Sequence, residues 1–122
     1  AYITNRSFLS GKPYAGLRKM MREQFDRIEI VDLRGDVRTG ERADIDGDQG
    51  VFNIQVGTCI TIAVADGSKE PSELADVLYA DSWENDAIKQ KAKLDWLREN
   101  TELGRFSEYE TVNRSLLDGM RP

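Results

Sequence analysis

The stretch from Thr58 to Ala65 (Thr-Cys-Ile-Thr-Ile-Ala-Val-Ala) carries small or apolar side chains on both of its alternating faces. Successive side chains of a strand point to opposite sides, so a strand with one wet face alternates apolar with polar. This one does not alternate, and it reads as an interior strand covered on both faces. The rest of the chain has to supply that cover.

The surrounding pattern supplies strands and helices in turn. Ala1 to Thr4 is a short apolar strand, followed by the polar loop Asn5-Arg6-Ser7. Pro13 sits where a helix begins, and Leu17, Met20, Met21, Gln24 and Phe25 fall on one helical face with Arg18, Lys19, Arg22 and Glu23 opposite. That spacing predicts an amphipathic helix with the first set inward. Arg27 to Leu33 reads as a strand, Arg34 to Gly50 as a long glycine-containing loop, and Val51 to Gln55 as a short extended piece. Asp76 to Ala80 reads as a further strand. A helix is expected from about Glu84 to Asn100, opened by a capping box at Asp81 and Glu84. Ser107 and Glu110 repeat that signature before Tyr109, Val112, Leu116 and Leu117, which predicts a last helix closed by Gly119. The order implies an α/β fold: a mixed sheet of three to four strands with flanking helices. Residues 1–80 would form the sheet and residues 81–122 a helical extension.

Composition narrows the function classes. The 122 residues include no histidine, which removes the commonest general base and metal ligand. The single cysteine excludes an internal disulfide and fits a reducing cytoplasm. No apolar run is long enough to span a bilayer, and no signal peptide is visible, so no membrane partner is expected. The net charge is -5, yet residues 1–42 hold nine Lys/Arg against six Asp/Glu. Any contact with phosphates is therefore expected in that first part, although such variation also occurs along ordinary surfaces. A chain that opens inside a strand is expected to be a piece of a longer one.

The sites that chemistry could use are few. Asp44, Asp46, Gly47 and Asp48 suggest a calcium loop, but the twelfth position is Gln55 or Gly57 rather than the required Glu. Cys59 lies in the interior strand and reads as a small core residue. No glycine-rich phosphate cradle follows a strand. Nothing here forms an active site unaided, and an independent hydrolase is disfavoured.

Several segments are specific enough to match a family. Ile3-Thr4-Asn5-Arg6-Ser7-Phe8-Leu9-Ser10-Gly11, Gly16-Leu17-Arg18, Phe25-Asp26-Arg27-Ile28, Val31-Asp32-Leu33-Arg34-Gly35-Asp36 and Gly50-Val51-Phe52-Asn53-Ile54-Gln55-Val56-Gly57 resemble one region of bacterial N6-adenine DNA methyltransferases. The similarity is to those in type ISP restriction-modification proteins, helicase/methylase chains that fuse nuclease, helicase, methyltransferase and target-recognition parts. It covers about residues 1–100. The resemblance implies a partial Rossmann-like methyltransferase sheet. Ala1–Thr4 would be its fifth strand, Arg27–Leu33 its sixth, and Thr58–Ala65 its seventh, antiparallel between the other two. The family's cofactor glycine motif and Pro-Pro-Tyr loop do not occur in this sequence. S-adenosylmethionine would then bind elsewhere in the parent enzyme and not to this piece, which alone would be inactive.

The resemblance also implies roles. Phe52 stands where related methyltransferases place an aromatic that stacks on the flipped adenine, although a plain core phenylalanine fits the sequence equally. Asn5, Arg6 and Ser7 would line the adenine or DNA cleft, at the strand end where open α/β sheets bind ligands. Arg34, Arg38 and Arg42 would touch phosphates, or be solvated loop residues. The implied partners are DNA and the rest of the parent chain, with a homo-oligomer through an exposed sheet edge as a further expectation. A non-enzymatic coupling module joining a motor to a target-reading part is the alternative.

Overall fold

The interior strand of the sequence, Thr58–Val64, lies between Tyr2–Asn5 and Arg27–Arg34 and runs antiparallel to both. This holds in a computed structural model that describes residues 1–35, 49–52, 56–102 and 110–112. The described elements are β1 (Tyr2–Asn5), α1 (Ala15–Gln24), β2 (Arg27–Arg34), β3 (Thr58–Val64), β4 (Asp76–Asp81), α2 (Gln90–Glu102) and β5 (Glu110–Val112). The strand order is β1-β3-β2-β4-β5, with β2 and β4 parallel and β5 antiparallel to β4. It follows that β1, β2 and β4 point the same way and end at one edge of the sheet. No helix among the described residues is long and apolar enough to cross a membrane.

A core forms on each face of this sheet. On one side Ile28, Ile30, Cys59, Val77 and Tyr79 pack with Phe8, Leu9 and Met21. On the other, Val31, Leu33 and Ala80 pack with Ala87 and Trp96, flanked by Ala92 and Leu97. Successive residues of β2 alternate between the two cores, which is why that strand shows almost no polar rhythm. Burial pushes the Cys59 thiol up to about 11, so it stays protonated and packs as a small apolar group.

The structure departs from the sequence pattern in four places. First, α1 is turned relative to expectation: Arg18, Met21 and Arg22 are buried while Leu17 and Met20 are exposed. The cause is Arg18, whose Nη1 donates to the carbonyls of Phe8 at 3.0 Å and Gly11 at 2.7 Å. Those carbonyls belong to the loop after β1, and the guanidinium satisfies them from inside. Second, the Asp81 carboxylate does accept the Trp83 N–H at 3.0 Å, but it caps only a 3-10 turn, Trp83–Asn85, that Asp86 ends with φ 58. The long helix starts later, at Gln90, whose N–H is taken by the Gln49 side chain at 2.9 Å.

Third, Glu110–Val112 is a strand and not the start of a helix. An unpaired β4 edge offers ladder hydrogen bonds to β-branched Thr111 and Val112, and these override the weak helical spacing. The other residues of that expected helix, and most of the 51–55 extended piece, lie outside the described residues. Fourth, that added strand brings the described sheet to five rather than three to four.

Ile30 is fully buried at the centre of the first core. Ile30→Ala should lower unfolding free energy by about 2–5 kcal/mol, a large part of a small domain's stability, measurable by urea denaturation.

Candidate functional site

The carboxyl ends of β1, β2 and β4 bring together four charged side chains that are far apart in sequence. Asp32, fully buried, is their centre. Its Oδ1 accepts from Arg6 Nε at 2.8 Å and from the Arg34 N–H at 3.1 Å. Its Oδ2 accepts from Arg6 Nη2 at 2.7 Å and from the Tyr79 hydroxyl. Both oxygens are thus fully engaged. Arg34 reaches the other way, pairing with Asp81 through Nε at 3.1 Å and Nη2 at 2.6 Å. Its guanidinium lies 3.9 Å over the Trp83 ring.

Backbone geometry serves this cluster. The β2 ladder slips between Asp32 and Arg34, and Arg34 takes a left-handed φ of 54. That bulge points consecutive polar side chains at the same end of the sheet. Gly35 follows with φ 90, and a Cβ there would sit 2.6 Å from the Gly50 Cα, so the chain can close on residue 50 only with glycine. At Gly57 a Cβ would meet Arg6 Cδ at 2.6 Å, which lets the arginine stem lie flat on β3's approach.

Burial alone would raise the Asp32 carboxyl, but the Arg6 hydrogen bonds and the charges of Arg6 and Arg34 hold it below the usual carboxylate range. The same pairing keeps Arg6 and Arg34 firmly protonated against their own burial. Burial and the neighbouring Asp32 charge raise the Tyr79 hydroxyl. Tyr79 is therefore a donor throughout the accessible pH range.

Beside this cluster lies an open pocket of about 470 Å³, lined by Ile3, Thr4, Asn5, Phe52, Val56 and Thr58. Asn5 and Phe52, both singled out in the sequence, meet here. Phe52 is 39% exposed, so it is not a core residue. Asn5 Oδ1 accepts the Ser7 N–H at 3.0 Å, which fixes the amide and leaves its nitrogen toward solvent. Ser7 thus turns the loop and does not line the pocket.

The segment that carries Phe52 is fastened to the start of α2. Gln49 N–H donates to the Ile88 carbonyl at 3.1 Å, and Gln90 Nε2 to the Val51 carbonyl at 2.9 Å. Lys93, completely buried, donates to the carbonyls of Leu33 at 2.7 Å and Gln49 at 2.6 Å. An ammonium without a carboxylate is tolerated there because carbonyl oxygens take its protons. Lys93 had no signal in the sequence beyond being a helix lysine.

The expected phosphate contacts are distributed unevenly. Arg6 and Arg34 both face inward to carboxylates, and Arg18 and Arg22 are buried as well. Much of the positive balance of residues 1–42 is therefore internal, and Lys12, Lys19 and Arg27 are its exposed part. Arg38 and Arg42 lie outside the described residues, as does the acidic run Asp44 to Asp48. No group of three or more potential metal ligands occurs among the described residues.

No family model matches the sequence, and no curated protein matches it either. Solved structures match it over nearly its whole length. The chain is similar to part of the ATP-dependent Type ISP restriction-modification enzyme LlaBIII bound to DNA, with TM-score 0.74 and 23% identity over 97% of this chain and 8% of that one. It is similar to part of the DrdV–DNA complex, with TM-score 0.74 and 22% identity over 97% of this chain and 11% of that one. A nuclease-deletion mutant of the Type ISP enzyme LlaGI, in complex with a DNA substrate mimic, gives TM-score 0.74 and 26% identity over 97% and 9%. This chain spans about a tenth of the length of the structures it matches.

Asp32→Asn should cost about 3–5 kcal/mol, because it leaves two buried guanidiniums short of a counter-charge. The pH dependence has a definite sign. A carboxyl held low in the folded state contributes stability that is complete above its unfolded value of about 3.9. That stability is lost as pH falls through the folded value. Urea midpoints should drop with acid in the parent chain, and the drop should shrink in Asp32→Asn.

Proposed function

We propose that this chain is the base-holding end of a methyltransferase sheet in a longer, type ISP-like restriction-modification protein that methylates adenine N6. The observation that carries this reading is the meeting of Phe52 and Asn5 in one pocket at the carboxyl edge of parallel strands. An enzyme acting on a base within a duplex must extrude that base and hold it by stacking and edge contacts. Phe52 supplies an exposed aromatic face, Asn5 an amide at the correct edge, and Ile3 and Val56 the apolar wall. The pocket volume lies in the roughly 300–1,000 Å³ range of ligand sites. The fold likeness to DNA-bound restriction-modification enzymes supports the same assignment.

The methyl donor would be S-adenosylmethionine, and the residues of this pocket do not fit it. Its amino-acid tail and sulfonium call for charged partners, and its ribose for a carboxylate. The pocket lining holds no charged residue, and the nearby Arg6, Asp32, Arg34 and Asp81 bind one another. The cofactor then belongs to the remainder of the longer protein, and this chain alone transfers nothing. Within the whole, Phe52 stacks on the adenine, and Asn5 contacts its edge. Arg6 acts as a positioning residue: its backbone N–H donates to the Gly57 carbonyl at 3.0 Å and its side chain anchors to Asp32, which together fix Asn5. Arg38 and Arg42 remain the arginines for phosphate contact.

Phe52→Ala in the whole protein should weaken binding of an extruded base by about 1–3 kcal/mol, roughly a 5- to 150-fold loss. Fluorescence of 2-aminopurine at the target position reads base extrusion directly, and an unchanged signal together with an unchanged methylation rate would defeat the reading in favour of a coupling module. Calorimetric titration of the isolated chain with S-adenosylmethionine should show no binding heat. Measurable affinity there would place the cofactor site in this chain and overturn the division of labour.

A further inference from the structure

One flank of α1 is apolar and uncovered. The helix buries Arg18 and Met21, which are 2% exposed, while Leu17 and Met20 stand out at 40% and 47%. At 3.6 residues per turn Leu17, Met20 and Gln24 share one flank of the helix. Lys19 and Glu23 take the other, paired at 3.8 Å. Apolar residues on a second side mark a helix sandwiched between two layers. Tyr14, just before α1, is 39% exposed.

β1 is open in a matching way. It pairs with β3 on one side, and its other side is an edge of the sheet. Exposed edges are normally blunted by lysine, proline or a bulge. Tyr2-Ile3-Thr4-Asn5 contains neither residue, and its register with β3 is unbroken. Tyr2 pairs with Thr61, which pairs with Ile30 of the α1-side core, so Tyr2 lies on α1's side of the sheet. It is 43% exposed there.

We infer that the free edge of β1 and the Leu17–Met20 flank of α1 form one docking surface for a strand and helix of the same longer polypeptide. The inference rests on the reading of this chain as part of a longer protein. A strand answers the unpaired backbone of β1, and an aliphatic helix beside α1 covers Tyr2, Leu17 and Met20. A second copy of the chain fits less well. Four-residue strands joined edge to edge fall far short of the roughly 1,200 Å² that a stable association buries. Tethering within one polypeptide removes that requirement, since it supplies a millimolar effective concentration. The matching structures are about ten times as long as this chain, which leaves ample sequence for the partner segment.

Thiol labelling tests this without reference to DNA. Buried Cys59, its thiol pushed up to about 11, gives little background. In the intact polypeptide, Met20→Cys should react with iodoacetamide about tenfold or more slower than Lys19→Cys on the polar flank, because reaction must wait on local opening. Equal rates would overturn the inference. Protection that fades on dilution, with a matching dimer in sedimentation, would overturn it in favour of a second copy. Leu17→Glu with Met20→Glu should lower the melting temperature of the intact polypeptide, and no change would count against the docking surface. The base-extrusion assay on Phe52 reads a different part of the molecule, so either proposal can fail alone.

Discussion

The Asp32 carboxylate is the interaction on which the carboxyl edge of the sheet depends. It takes four hydrogen bonds and stands between two guanidiniums. Remove its charge and Arg6 and Arg34 face each other across the end of β2 with only Asp81 between them. Desolvating such groups is costly, and apolar replacements of equal volume often do as well for stability alone. What the cluster adds is position. β1, β2 and β4 must end at fixed heights for the bidentate pairs to close, and the bulge at Asp32–Arg34 has no other evident purpose.

The same pairing sets the character of the pocket. Every charged group near it is turned toward a partner of opposite sign, so the lining is left neutral: aliphatic, aromatic, amide and hydroxyl. A flat, uncharged, hydrogen-bonding ligand suits that lining better than a phosphate or a zwitterion does. An acidic chain can serve this purpose on DNA because the base, not the backbone, is what reaches the site.

Much of the fold was legible in the sequence. The unbroken apolar and small residues of β3 announced an interior strand, and β1, β2 and β4 followed from apolar runs of strand length. What escaped was decided by tertiary contacts. Arg18 and Arg22 looked like a solvated face because nothing in sequence reveals carbonyls of the 8–11 loop waiting for a guanidinium. Lys93 looked like any helix lysine. β5, three residues long, has too little periodicity to compete with the helical spacing around it. Asn5 and Phe52 carried no intrinsic mark of a site. The likeness of their flanking segments to a family drew attention to them, and geometry then brought them to one pocket.

The aromatic of that pocket is moored to a helix and not to the strand it precedes. Gln49 and Val51 are hydrogen-bonded to Ile88, Gln90 and Lys93, while Phe52 itself sits one residue beyond the last of these ties. Sliding α2 by even part of a turn would break the Lys93 and Gln90 contacts or drag the 49–52 segment along. The ring therefore registers the placement of α2 like a pointer on a lever, and whatever packs on the far side of that helix has mechanical access to it.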